Sequence, residues 1–179
     1  SYNIATGNVY WECIASVGRG TPTLALTKDT VISVPGRSGT MVAIRPGGSG
    51  DVSGKQEAWR VPRTGGRDLP SPLVVGEYLI VTRLRPGIIS CYNNKTGEQL
   101  WQQRVEGAFS SSPIAINGIV YTVTEDGVTH VFKPGASYQS ISKNSVEATL
   151  EETFRASPAA FDGHLLLRSD KYLYCIGNK

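Results

Sequence analysis

With 179 residues, 40% of them hydrophobic, and a net charge of +3, the chain can bury one core and is too weakly basic to argue for nucleic acid. No apolar run approaches the ~20 residues of a membrane-spanning helix, and no signal-peptide pattern opens the chain. The three cysteines, Cys13, Cys91 and Cys175, form no CxxC pair and no disulfide framework, so a redox or metal role gives way to small buried side chains.

In chain order, the first residues read as a turn leading into a strand. Ser1-Tyr2-Asn3-Ile4-Ala5-Thr6-Gly7 is followed by Val9-Tyr10-Trp11-Glu12-Cys13-Ile14. Four units then open on a proline: Thr21-Pro22, Ser71-Pro72, Ser112-Pro113 and Ser157-Pro158. Proline suits the first residue of a strand, where no ladder N–H is required of it. Each unit turns at Lys28-Asp29, Gly76-Glu77, Asn117-Gly118 or Asp162-Gly163, the last two being strong two-residue hairpin signals. Second strands follow at Val31–Val34, Leu79–Thr82, Val120–Val123 and Leu165–Arg168, and third strands at Met41–Ile44, Ile89–Tyr92, Thr129–Phe132 and Leu173–Ile176.

Fourth strands are expected at Ala58–Val61, Leu100–Gln103 and Val146–Leu150. The last unit has none, and residues 8–14 supply a spare strand of the right kind, Trp11 included. The repeat spacing is near the ~40–45 residues of a propeller blade. The fold class is therefore all-β: a β-propeller segment of four four-stranded antiparallel blades, at about 15–61, 62–105, 106–152 and 153–179, with the N-terminal outer strand 8–14. Either the chain closes as a four-bladed ring or it is half of an eight-bladed one. Residues 8–14 are expected to pair with 171–176 of the same chain or of a second copy.

One eleven-residue pattern is written twice. Cys91-Tyr92-Asn93-Asn94-Lys95-Thr96-Gly97-Glu98-Gln99-Leu100-Trp101 and Ser1–Trp11 share Asn, Thr, Gly and Trp at the same offsets. This resembles the tryptophan-docking motif of quinoprotein-type propellers, those of PQQ-like repeats. The second unit keeps Ala43 and Trp59 around an enlarged turn, Pro46–Gly54, and the third has lost both Gly and Trp. The resemblance implies eight blades for a full ring. It also implies a periplasmic, secreted or otherwise envelope-associated bacterial setting. Quinone-dependent dehydrogenases of this type carry vicinal cysteines, a tryptophan stacked on the cofactor and an acidic Ca²⁺ site. None of these is matched here, so neither PQQ nor calcium is expected. The resemblance thus favours a non-catalytic binding or assembly scaffold, with a quinoprotein dehydrogenase whose catalytic residues lie outside this chain as the alternative.

Residue by residue, chemistry is thin. Trp11, Trp59 and Trp101 are expected to pack blade on blade, each indole N–H on a neighbouring carbonyl. Gly47–Lys55 fails the phosphate-loop pattern, because Ser49 stands at its first glycine and Gln56 replaces Ser/Thr. It reads as a surface loop. His130 and His164 have no ligand spacing around them, and Ser110-Ser111-Ser112 has no accompanying base. Loop charge is more informative. On the face formed by the strand 4-to-1 and 2-to-3 loops, Arg19, Arg37, Arg63, Arg67 and Arg85 come from blades one and two, against Asp68 alone. Glu106, Glu125, Asp126, Glu152 and Asp170 come from blades three and four, against Arg155 and Arg168, so the face is expected to be basic at one end and acidic at the other. Arg19, Arg63 and Arg67 are the candidate contacts for a protein or an anionic glycan, and a homodimer completing a ring is the competing use of the same charges.

Overall fold

The computed structural model describes residues 1–15, 20–36, 39–63, 69–147 and 151–177, in which there are seventeen strands and no helix. Blade one is β2 (Ala25–Leu26), β3 (Val31–Ser33), β4 (Gly39–Ile44) and β6 (Glu57–Arg63). Blade two is β7 (Leu73–Val75), β8 (Tyr78–Arg83), β9 (Ile88–Asn93) and β10 (Gln99–Arg104). Blade three is β11 (Ile114–Ile116), β12 (Ile119–Val123), β13 (Val128–Lys133) and β14 (Gln139–Ser145). Blade four has β15 (Ala159–Phe161), β16 (His164–Arg168) and β17 (Leu173–Ile176). Every pairing within the blades is antiparallel, as expected for propeller blades.

Local chemistry sets the turns. Asn117 and Gly118 (φ 51° and 78°) and Asp162 and Gly163 (φ 47° and 73°) turn their hairpins in two left-handed steps that their side chains tolerate. The Ser-Pro openings then knit one blade to the next. Backbone N–H groups of Thr23, Ser71 and Ser112 donate to the hydroxyls of Ser71, Ser112 and Ser157, at 3.0, 2.9 and 2.9 Å. The core lies between blades. Ile32, Met41 and Ala43 meet Leu79, Val81 and Tyr92 at the first joint. Ile80, Ile89 and Cys91 meet Val120 and Phe132 at the second, with Phe109 between. Val123, Phe154 and Leu167 fill the third.

The row does not close into a four-bladed ring. Its inner strands β2, β7 and β11 lie side by side, while Leu24 and Leu26 at one end and Phe161 at the other stay exposed. Nor do residues 8–14 pair with 171–176. Instead β1 (Trp11–Glu12) runs parallel to β5 (Gly50–Asp51), a strand inside the glycine-rich loop. That loop holds the segment further through Ser53 Oγ, which accepts from the Ile14 N–H at 2.8 Å. The physical reason is that an inserted strand next to Trp11 satisfies its backbone locally.

Two smaller expectations change. The fourth strand of blade three is Gln139–Ser145, a polar and largely exposed strand lying before the more apolar Val146–Leu150; of that stretch, 148–150 lie outside the described residues. Cys91 is buried against blade three, but Cys175, its equivalent, is exposed, since it faces the open side of blade four.

Candidate partner-binding face

The docking tryptophans fix how the blades present their loops. Trp59, 8% exposed, donates its Nε1–H to the Asn94 carbonyl of blade two at 2.9 Å. Asn94 in turn donates from its side chain to Gly76 O at 2.8 Å, tying the turn to the β7–β8 hairpin. Trp101 repeats the step onto blade three, donating to Gly135 O at 2.9 Å and meeting Phe132 and Tyr138 edge-on. Gly135 supplies a carbonyl here although the third unit has lost the rest of the motif. Trp11 departs from the pattern: it is half-buried, and the β1–β5 pairing rather than an indole hydrogen bond attaches its segment.

The opposite end of the blades carries the candidate face. Its 4-to-1 and 2-to-3 loops are linked by backbone hydrogen bonds from blade to blade. Phe109 N–H donates to Leu84 O, Glu125 N–H to Ala108 O, Phe154 N–H to Glu125 O and Asp170 N–H to Thr153 O. Gly87 fits because a Cβ there would stand 2.5 Å from the Gly107 carbonyl.

Glu125 sits at the centre of this face. Ser110 Oγ donates to its Oε1 at 2.5 Å, and the guanidinium groups of Arg85 and Arg155 each approach to 3.6 Å from blades two and four. Both arginines are largely exposed, so these loose pairs add little stability. They leave two cations open to an incoming carboxylate or phosphate, which an arginine fork can grip. Shallow depressions of about 500 and 320 Å³ flank the centre, one beside Arg85, Pro86 and Asp126, the other beside Arg155, Arg168 and Asp170.

Of the expected contacts, Arg19 and Arg67 lie outside the described residues, as do Arg37 and Asp68. Arg63 closes β6 and is buried, its Nη1 donating to Pro35 O at 3.5 Å. It supports a loop of blade one from within. The charges that are described interleave instead of segregating. Arg85 meets Glu125, Glu152 is buried and accepts from Tyr174 Oη at 2.7 Å, and Asp170 caps the Thr153 N–H. The bond to Glu152 pushes the Tyr174 phenol up to about 12. Sequence reading missed that Arg85 and Glu125 are adjacent. The register explains why: Leu84, Glu125 and Asp170 hold one position in the 2-to-3 loops of successive blades, and Arg85 stands one residue further on.

Side chains with nucleophilic or ligating potential are otherwise engaged or scattered. Ser111 Oγ donates to Val123 O at 2.6 Å, and burial pushes the Cys91 thiol up to about 11. Among the described residues no three His, Cys, Asp or Glu side chains are grouped to hold a metal ion. Trp59 and Trp101 are both held between blades, and Cys13, Cys91 and Cys175 are free thiols.

Comparison with known proteins agrees with this architecture. The chain superimposes on BamB from Moraxella catarrhalis with a TM-score of 0.69 at 20% identity, over 88% of this chain and 46% of that one. The computationally designed Ika4 protein matches with a TM-score of 0.69 at 14% identity, over 96% of this chain and 100% of that one. A europium-containing methanol dehydrogenase matches with a TM-score of 0.54 at 10% identity, over 74% of this chain and 27% of that one. At these identities the likeness is one of fold, and the chain spans about half the length of the BamB structure. No curated protein sequence matches it. The sequence profile described as "Outer membrane protein assembly factor BamB" matches residues 1–134, three quarters of the chain, and the protein belongs to this family of PQQ-like repeat propellers.

Proposed function

We propose that the chain is a non-catalytic scaffold of the cell envelope that binds a protein partner over the Glu125-centred loop face. The observation that carries this reading is Arg85 and Arg155 converging on one carboxylate from two different blades. A surface of that kind offers exposed arginine forks without a nucleophile and base in register. Membership of the BamB family supports an assembly role and a protein partner, and the exposed Arg85 and Arg155 favour acidic side chains on it. Arg19 and Arg67, outside the described residues, remain candidate contacts, and Arg63 acts by supporting the Pro35 loop. No quinone or calcium is assigned. No helix among the described residues is long and apolar enough to cross a membrane.

Affinity capture from solubilised bacterial envelopes tests the proposal, comparing the chain with its Arg85→Glu/Arg155→Glu variant. Wild-type chain should recover outer-membrane assembly proteins, and the variant should lose them while keeping its oligomeric state. Retained capture refutes the loop face. A changed oligomer supports the ring-completing homodimer, and recovery of anionic glycan alone replaces the protein ligand. Stoichiometric uptake of pyrroloquinoline quinone with Ca²⁺ and dye reduction would overturn the scaffold reading altogether.

A further inference from the structure

We propose that the outer slot between blades three and four is a docking site for an aromatic side chain of a partner protein. This deepens the scaffold reading by naming an anchor on a different surface from the loop face, and it stands or falls separately.

The slot follows from how the blades repeat. In blades one, two and three the outermost strand bulges just before the residue opposite Ala43, Cys91 or Val131. In the first two that residue is Trp59 or Trp101, whose indole crosses the joint and covers the next blade. In blade three it is Ser142. A hydroxyl on a one-carbon stem cannot cross the joint, and the apolar surface an indole would cover is left open.

Exposure shows the consequence. Tyr92 and Phe132, which lie beneath the docked tryptophans, are 5% and 0% exposed. Ile176 holds the same position in blade four and is 43% exposed. Ile141, the bulge residue of blade three, is 56% exposed. Beside Ile176 lies a pocket of about 290 Å³ lined by Tyr121, Val131, Val146, Leu165 and Ile176, with Asn144 also in its wall. That is just below the usual range for small-molecule sites, about 300–1,000 Å³, and suits a single side chain. Asn144 donates its amide N–H to Ser142 Oγ at 3.0 Å, leaving its carbonyl oxygen able to accept from an indole N–H.

The occupant is argued from the two sister joints, where the complement of this surface is an indole. Aromatic anchors set into desolvated pockets dominate protein interfaces because they bury a large area on few rotatable bonds. A partner presenting a tryptophan on an extended segment therefore fits the slot.

The test is titration of the full chain, methyl-labelled at Ile, Leu and Val, with N-acetyltryptophanamide. The expected result is saturable shifts at Val131, Val146, Leu165 and Ile176, with a dissociation constant around the millimolar level of a fragment-sized ligand. Binding should weaken about tenfold or more in Ser142→Trp, where a covalent indole fills the slot, and in Val146→Gln, which needs only a rim change if the first variant folds poorly. N-acetylleucinamide should bind several-fold more weakly. Shifts scattered over the surface, undiminished binding in a folded variant, or equal affinity for the leucine analogue would overturn the inference. None of these outcomes touches the Arg85 and Arg155 face.

Discussion

Gly97 lies flat beneath Trp59: a Cβ built on Gly97 would stand 2.7 Å from the indole ring, and its φ of +75° is one that other residues avoid. The same turn offers the Asn94 carbonyl to the indole N–H. The Asn94-x-x-Gly97 spacing is thus a receptor for the previous blade's tryptophan. Gly97→Ala combines backbone strain with overpacking and should cost about 2–4 kcal/mol. Gly118→Ala, with a similar φ of +78° but nothing within 4 Å, should cost only about 1–2 kcal/mol. Urea denaturation of both variants checks the difference, and equal losses would mean that contact with Trp59 is irrelevant.

Removing the indole itself should be harsher. Trp59→Ala should destabilise by ~3–5 kcal/mol, as for other large-to-small core changes. Trp101 is half-buried, so Trp101→Ala should cost less. Trp59→Phe keeps much of the packing and loses the bond to Asn94 O, about 1 kcal/mol. Thermal or urea unfolding ranks the three, and a Trp59→Ala loss below about 1 kcal/mol contradicts the docking role.

Much of this was readable beforehand because the chemistry is local. Prolines opened the strands, Asn117-Gly118 and Asp162-Gly163 turned them, and Trp59 and Trp101 found their carbonyls. Other features escaped for physical reasons. Gly50–Asp51 has no side-chain periodicity to betray a strand, and its pairing with Trp11–Glu12 depends on a distant segment. β14 is polar along most of its length because little packs on its outer edge, so the more apolar residues after it read as the strand. Arg63 looked like a loop charge, and its burial follows from the tertiary approach of Pro35. The pairing of Arg85, Glu125 and Arg155 required three blades to be placed side by side.

Acid should weaken the joint between blades two and three. His130 is buried against Phe109, and burial, followed by the charge of Lys143, holds its imidazole below the usual value, with Asp126 opposing. The folded state therefore prefers neutral imidazole. Its contribution is complete above the ordinary value near 6.5 and falls as pH drops toward the depressed folded value. Urea midpoints from pH 7.5 down to 5 should decline more in wild type than in His130→Gln. Parallel curves would show that His130 is not linked to folding. The lowered carboxyls of Asp51 and Glu57 act only in a more acidic window.

Thiol reactivity reports the open side of blade four. Cys175 is exposed, whereas Cys91 is buried with its thiol pushed up to about 11. A disulfide reagent at pH 8 should modify Cys175 rapidly and Cys91 only on unfolding. Protection of Cys175 that grows with protein concentration would show a second copy covering blade four.

Photocrosslinking in living bacteria tests the binding-scaffold reading most directly. A photoreactive amino acid replaces Glu106, highly exposed on the loop face, or Glu77, exposed on the hairpin at the opposite end. The account predicts crosslinks from position 106 to outer-membrane assembly proteins, lost when Arg85→Glu and Arg155→Glu are added, and none of comparable yield from position 77. Equal crosslinking from both positions, or none from position 106 in a folded and correctly exported chain, would contradict it.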